Sequence, residues 1–320
     1  MRTPRPIPPE LVGRAFTRTE AASLGVTPRM LQHRRFSEVF PSVYRATETE
    51  LDDLGLIDAA RRCLPDDARV SHQTRLRLLG LEYGPLLPLH FTVGRDLHLA
   101  IDDIFLHRTV KMPLRDERAV CVEAAFVSVA GEMRLIDLIK IGDWLIHRGH
   151  LDPARLLAFA GAEPWRPGAH VIPWVIPHLD GRARSLKESE TRAVLVFAGL
   201  PMPEVNLDIY DGGSFLGCAD LAYLLWKLII EYEGRQHAFD VAQFDRDIHR
   251  YAGFRSGGWE YVQVTQNKLA RPRALVLDIH RVLKARGYDG PPPTFGARWA
   301  SLFQPPDVAV DRQLNGRAFG

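Results

Sequence analysis

Two spacings of apolar residues organise the chain: the three-to-four-residue spacing of amphipathic helices and the every-second-residue spacing of strands. Helical spacing runs through residues 50–62 and Val70–Leu81. It is strongest over Met133–His147, where Leu135, Ile136, Leu138, Ile139, Ile141, Trp144 and Leu145 form one broad stripe. It returns over Ser185–Gly199, Val241–Phe254 and Pro272–Arg286, the last with Gly287 as its stop. Strand spacing predicts Val205–Tyr210, Ser214–Ala222, Leu228–Glu233 and Trp259–Thr265, with Asp211-Gly212-Gly213 as the turn between the first two. Strand-like pieces also lie within Leu89–Leu106. The C-terminal part therefore reads helix, three strands, helix, strand, helix. Residues 219–233 have no breaker across Leu224-Leu225-Trp226 and also fit one buried helix; the glycine turn before them and Gly234 after them favour two strands.

Near the N-terminus, Thr17 caps a short helix, with Glu20 three residues on as its capping-box partner. Gly25 ends that helix, and Thr27-Pro28 reads as the N-cap and first residue of another. Two short helices around a glycine turn are a helix-turn-helix pattern, with Thr27–Phe36 as the recognition helix. Val39–Arg45 then reads as one short strand, the wing. The stretch Glu163-Pro164-Trp165-Arg166-Pro167-Gly168, followed by Pro173 and Pro177, reads as a linker.

The expected class is α/β, α+β overall, in four parts: a winged-helix domain (1–65), a mixed, mainly helical middle region (66–180), a C-terminal αβββαβ core (181–290) and a loosely ordered Pro-rich tail (291–320). The composition is that of a globular chain, with 46% hydrophobic and 25% charged residues. A net charge of only +2 leaves any nucleic-acid surface to local patches. Residues 14–45 supply one, six arginines against two acids. Within it Arg29, Gln32, Arg34 and Arg35 are candidates for DNA contact, the bland alternative being a solvated helix face. Cys63, Cys121 and Cys218 are far apart, which excludes a disulfide framework and a cysteine zinc site. The twelve histidines show no His-x-x-x-His spacing, so a zinc enzyme of that kind is not expected. No signal core and no membrane-spanning apolar run is present, and a cytoplasmic location is expected.

Acidic residues stand where the C-terminal order would gather them. Asp220 lies in the second strand, Glu231 and Glu233 are two apart on the third, and Glu188 is on the preceding helix. Residues i and i+2 of a strand share a face. Carboxylates converging there suit Mg²⁺ or Mn²⁺, which activates water and neutralises a phosphate in the transition state. Gln236 and His237 follow closely, as proton acceptor or water-positioning groups. The plain alternatives are a salt-bridged strand end for Asp220, Glu231 and Glu233, a capping box Ser185-x-x-Glu188, and a surface ion pair for Asp247 and Arg250.

These residues carry a resemblance. Through Ser185-Leu-Lys-Glu188, Gly199-Leu-Pro-Met-Pro-Glu-Val-Asn206, Ala219-Asp220, Ile230-Glu-Tyr-Glu-Gly-Arg-Gln-His237, Phe244-Asp-Arg-Asp247 and Gly258-Trp259, residues 181–287 resemble endonuclease-domain proteins related to very-short-patch repair endonucleases. That family implies a restriction-endonuclease-like fold. It also implies a catalytic set of Glu188, Asp220, Glu231, Glu233, Gln236 and His237, with Asp220, Glu231 and Glu233 on the metal. A lysine is common in that fold where Glu233 stands. The N-terminal segment is similar to the winged-helix domain of AbiEi-type antitoxins. The resemblances imply a Mg²⁺-dependent DNA endonuclease or nickase acting on double-stranded DNA, or an antitoxin-like transcriptional regulator whose nuclease fold is inactive. A homodimer stays open, as does a toxin partner if the chain is antitoxin-like.

Overall fold

The computed structural model describes residues 6–233 and 251–307. The chain divides into two compact units, residues 1–126 and 127–320, the boundary falling inside the helix Val122–Ala130.

The first unit opens with a three-stranded sheet in the order β1-β3-β2, made of Phe16–Thr17, Phe36–Phe40 and Val43–Ala46. Helices α1 (Arg18–Ser23) and α2 (Pro28–Leu31) lie in sequence between β1 and β2. The capping box forms as expected: Thr17 Oγ1 accepts from Glu20 N at 3.1 Å, and Glu20 Oε2 accepts from Thr17 N at 2.6 Å. The expected recognition helix is shorter than its sequence pattern. It stops at Leu31 because a turn (Phe36 N to His33 O, 2.9 Å) delivers Phe36 into β2, where its ring meets Phe16 edge-on at 6.0 Å. The expected single wing strand is a hairpin, β2 and β3, reversing at Pro41-Ser42 with Ser42 at φ 63.

After α3 (Asp53–Arg62) comes a second sheet, ordered β4-β5-β6, from Arg69–Val70, Leu89–Val93 and Ile104–Arg108. Helix α4 (His72–Leu78) connects β4 to β5. Leu89, Phe91 and Val93 point into a core shared with Ile57, Ala60 and Val70. The middle region is mixed, sheet-bearing at its start and helical beyond. Helix α5 (Val122–Ala130) crosses the division.

The second unit begins helical, with α6 (Leu135–His147), α7 (Pro153–Ala162) and α8 (Ile172–Val175). The stretch expected as a linker is packed structure. Val171, Ile172 and Val175 are fully buried, and Pro173 stands in the first turn of α8, where its missing N–H costs nothing. Helix α9 (Leu186–Phe197) precedes a four-stranded mixed sheet, ordered β10-β9-β8-β7. Its strands are β7 (Glu204–Asp211), β8 (Ser214–Tyr223), β9 (Leu228–Glu233) and β10 (Glu260–Thr265). The first three form an antiparallel meander; β10 runs parallel to β9, and residues 251–256 between them are helical. Residues 219–233 are two strands, not one helix: Lys227, at φ 44, reverses the chain after the short turn Leu224–Trp226. Helices α10 (Gln266–Leu269) and α11 (Pro272–Ala285) follow. In the tail, the described residues 291–307 include α12 (Ala297–Ser301). Trp299 and Leu302 are buried, and Leu302 O and Gln304 O accept from Ile136 N and Leu135 N at the start of α6. The class is α/β. No described helix is long and apolar enough to cross a membrane.

Candidate functional site

The meander decides where the acids go. Leu221 pairs with Ile230 and Ala222 with Ile229, so the same register sets Asp220 opposite Glu231. Paired residues share a face, and alternation puts these two on the face of Ala222 and Ile229. Ala222 and Ile229 belong to a buried cluster with Ile209, Ala219, Phe254 and Trp259. A main-chain bond fixes the nearer acid: Tyr232 N donates to Asp220 Oδ2 at 2.9 Å. On the other side of β9, Gln263 stands beside Glu231 and Thr265 beside Glu233. The Tyr261 hydroxyl, from β10, donates to Glu231 Oε2 at 3.2 Å. Glu231 is only 6% exposed, Asp220 is half-buried, and Glu233 at the strand end is exposed.

Glu188 is buried near the start of α9. Its Oε2 accepts from Arg184 N at 2.9 Å and from Asn206 Nδ2 at 2.7 Å. Its own N–H donates to Ser185 Oγ at 3.1 Å, so the capping role is met. Asn206 lies between the pairs Val205–Leu221 and Leu207–Ala219, level with Asp220. Its φ of 47 is one that asparagine tolerates better than most residues. The structure therefore brings Asp220 and Glu231 together, keeps Glu233 on the same face one step further out, and ties Glu188 to the β7 position level with Asp220. Among the described residues no three carboxylates bring ligand atoms within 4.8 Å of one another. Gln236, His237, Asp247 and Arg250 lie outside the described residues.

In the first unit, Arg29, Gln32 and Arg34 are exposed on and just after α2. Arg35 is half-buried, its guanidinium 6.0 Å from the Phe36 ring centroid.

The same unit holds a cluster that no sequence spacing announced. His72, His90 and His107 each offer a ring nitrogen within 4.8 Å of the other two. They come from the first residue of α4, from β5 and from β6. Alternation explains two of them. Leu89, Phe91 and Val93 face the core, so His90 and Thr92 face away from it; Ile104 and Leu106 pack on the core, so Phe105 and His107 face away too. His90 pairs with Phe105 and Thr92 with His107. The third ring, His72, stacks on His107 at 3.6 Å between centroids. His90 Nδ1 and His107 Nε2 are 2.9 Å apart, and His72 Nδ1 is 2.9 Å from Ser71 Oγ. Burial, reinforced by His107 and His90, pushes His72 down to about 2; burial and then His90 push His107 down to about 4, and burial lowers His90. All three imidazoles are neutral at pH 7.

No family model matches the chain, and no solved structure matches it. A stretch of 110 residues is 34% identical to an uncharacterized protein of Mycobacterium tuberculosis strain H37Rv, and equally to one of strain CDC 1551 / Oshkosh. The match covers 34% of this chain and 41% of each relative, so the chain spans less than half the length of the relatives it matches.

Proposed function

We propose that the chain is a DNA-interacting protein that hydrolyses phosphodiester bonds with the help of Mg²⁺ or Mn²⁺, an endonuclease or nickase working in the cytoplasm on double-stranded DNA. The observation that carries this is the pair Asp220–Glu231: two carboxylates opposite each other on neighbouring strands of a mixed sheet, in the element order of restriction-endonuclease-like nucleases. Buried acids on the central strand of a sheet cost stability unless something compensates them. The donor set fits the ion, since Mg²⁺ takes oxygen ligands and is held by one or two protein carboxylates together with substrate phosphate.

In this reading Asp220 and Glu231 hold the cation, which when bound supplies charge neutralisation at the scissile phosphate and a more acidic water. The protein's own part is orientation. Tyr232 N–H fixes one oxygen of Asp220. The Tyr261 hydroxyl fixes one oxygen of Glu231. Glu233, exposed beyond them, is placed to hold the attacking water. That water's oxygen bonds to phosphorus as one P–O ester bond breaks, and the departing oxygen takes up a proton. Arg29, Gln32, Arg34 and Arg35 supply docking to the duplex, chiefly to phosphates.

The test is nicking of supercoiled plasmid in Mg²⁺ or Mn²⁺ by the full chain and by Asp220→Ala. Cleavage that needs the metal and is lost in the variant supports the reading; metal-independent or equal cleavage refutes it. A second reading, an antitoxin-like regulator with an inactive nuclease fold, is favoured by one observation: Glu233 is exposed and no third carboxylate closes on the pair among the described residues. It predicts DNA binding without cleavage under any divalent cation.

A further inference from the structure

The outer face of the β4-β5-β6 sheet carries a polar and aromatic group where an ordinary surface would carry solvated side chains. His90, Thr92, Phe105 and His107 stand on it, and His72 lies over them. Three features set the cluster apart from histidines that fill space. The rings crowd one another, with His72–His107, His90–His107 and Phe105–His107 centroids at 3.6, 5.2 and 4.5 Å. Three phenyl rings would fill the same volume without polar nitrogens to satisfy. His72 also holds a backbone φ of 49, a conformation costly for a side chain other than glycine. That backbone brings its ring over β6 at the very start of α4. Finally, one nitrogen of each ring is engaged: His90 Nδ1 with His107 Nε2, and His72 Nδ1 with Ser71 Oγ.

We propose that His72, His90 and His107 form a three-histidine site for a borderline divalent transition-metal ion, with Zn²⁺ as the fitting occupant and Co²⁺ its spectroscopic substitute. Three neutral imidazoles are the donor set that such ions prefer over Mg²⁺ or Ca²⁺. Zn–N bonds of about 2.0–2.1 Å in tetrahedral geometry put ligand nitrogens roughly 3.3–3.4 Å apart. The three nitrogens, within 4.8 Å of one another, reach that spacing by turning side chains, which unstacks His72 from His107 and exchanges the His90–His107 hydrogen bond for two metal bonds. The supporting shell is in place. Ser71 Oγ holds His72 Nδ1 and leaves Nε2 for the ion, and Thr92 Oγ1 donates to Ser71 Oγ at 2.8 Å. A metal-bound histidine is commonly oriented through its second nitrogen in this manner. Three protein ligands leave a fourth position for water or an exogenous donor. Bound metal would fasten the start of α4 to β5 and β6, a link made within the first unit and independent of the carboxylate pair.

The experiment strips the full chain with chelator, equilibrates it with Zn²⁺ or Co²⁺, removes loose metal by gel filtration and measures metal per chain. Expected are one retained equivalent, d–d absorption bands of the Co²⁺ form, and a melting temperature that keeps rising with free Zn²⁺ beyond saturation. His107→Phe, which keeps the ring stack and removes the ligand atom, should bind more than about tenfold more weakly, a loss that even a second-shell change can reach. If that variant lacks the wild-type circular dichroism spectrum, His72→Gln is read in its place. Asp220→Asn/Glu231→Gln should retain the metal. No retained metal in the wild type, unchanged affinity in the folded histidine variants, or loss only in the carboxylate variant would each overturn the proposal.

Discussion

The two units handle polar side chains in opposite ways. The first keeps most of them at the rim of its cores or neutral, with Glu123 on α5, at its boundary, the buried exception. Glu20 is about a third exposed and meets Arg14 and Arg62, and the three histidines shed their protons rather than carry charge into a half-buried place. The second unit buries charge outright. Asp143 on α6 is fully buried and bonded to Arg192 of α9 at 2.7 Å, with Asp180 N donating to its other oxygen at 2.6 Å. Glu188 and Glu231 are nearly as enclosed. Interior charge survives only with a partner in place, so the second unit is the one where removing a single partner should be severe. The acids stand on the four-stranded sheet of the second unit, and the imidazoles on a three-stranded sheet of the first.

The largest expected effect tests this contrast head on. Arg192→Ala leaves Asp143 buried without its cation and should cost about 3–5 kcal/mol, the range for breaking a buried pair. Asp143→Asn/Arg192→Met, which removes both charges, should recover most of that. Chemical denaturation of the three proteins measures it; a cost below about 1 kcal/mol for Arg192→Ala would mean that the pair behaves like a surface one. A moderate effect is expected at the N-terminal rim. Arg34→Glu/Arg35→Glu should weaken DNA binding across unrelated sequences and lower the slope of log K against log salt by roughly 1.8, two phosphate contacts' worth. Titrations at several salt concentrations settle it, and an unchanged slope removes these arginines from the interface.

The smallest effects are in pH dependence, and the two units should differ in sign. Burial works against the Glu20 charge, but the Thr17 N–H, Arg14, the Thr17 hydroxyl and Arg62 outweigh it and hold the carboxyl down at about 2, against an ordinary 4.5. Its stabilisation is present above pH 4.5 and lost as the pH falls towards 2. Burial pushes Asp143 up to about 6 despite Arg192, against an ordinary 3.8. The folded protein then binds the extra proton, so this group's contribution declines as the pH rises from about 3.8 to 6. Stability curves for Glu20→Gln and Asp143→Asn should lose slopes of opposite sign in those two windows. Slopes of the same sign would cancel the contrast.

Much of this architecture could be read from the residues, for physical reasons visible in particular places. Thr17 with Glu20 and Ser185 with Glu188 announced helix starts because a cap is a local hydrogen bond. The alternation Val205–Tyr210 and the Asp211-Gly212-Gly213 turn located the β7–β8 hairpin. Reading the segment as two strands puts Asp220 and Glu231 on neighbouring strands, but their register is set by the turn through Lys227 and not by the acids' own spacing. What stayed hidden was set by tertiary packing. Proline-rich composition masked the buried apolar residues Val171, Ile172 and Val175, and likewise Trp299 and Leu302. The histidine cluster left only a partial trace. Alternation through Leu89–Val93 and Ile104–Arg108 puts His90 and His107 on one face, but nothing local tells that β5 and β6 are neighbours or that His72 adopts a left-handed backbone above them. Tests of spacing such as His-x-x-x-His are blind to ligands gathered from three elements.

We propose Asp220 and Glu231 as a metal-dependent hydrolytic pair and not a structural one. The most direct test compares the cleavage rate of DNA-bound complexes, at saturating protein and with affinity measured separately, for the wild type, Asp220→Asn and Glu231→Gln in Mg²⁺ and in Mn²⁺. Expected are cleavage by the wild type that stops on adding chelator, and cleavage at background for both variants with DNA affinity retained. Variants that cut bound DNA at the wild-type rate, or a wild type that binds DNA and never cuts it under either ion, would contradict it.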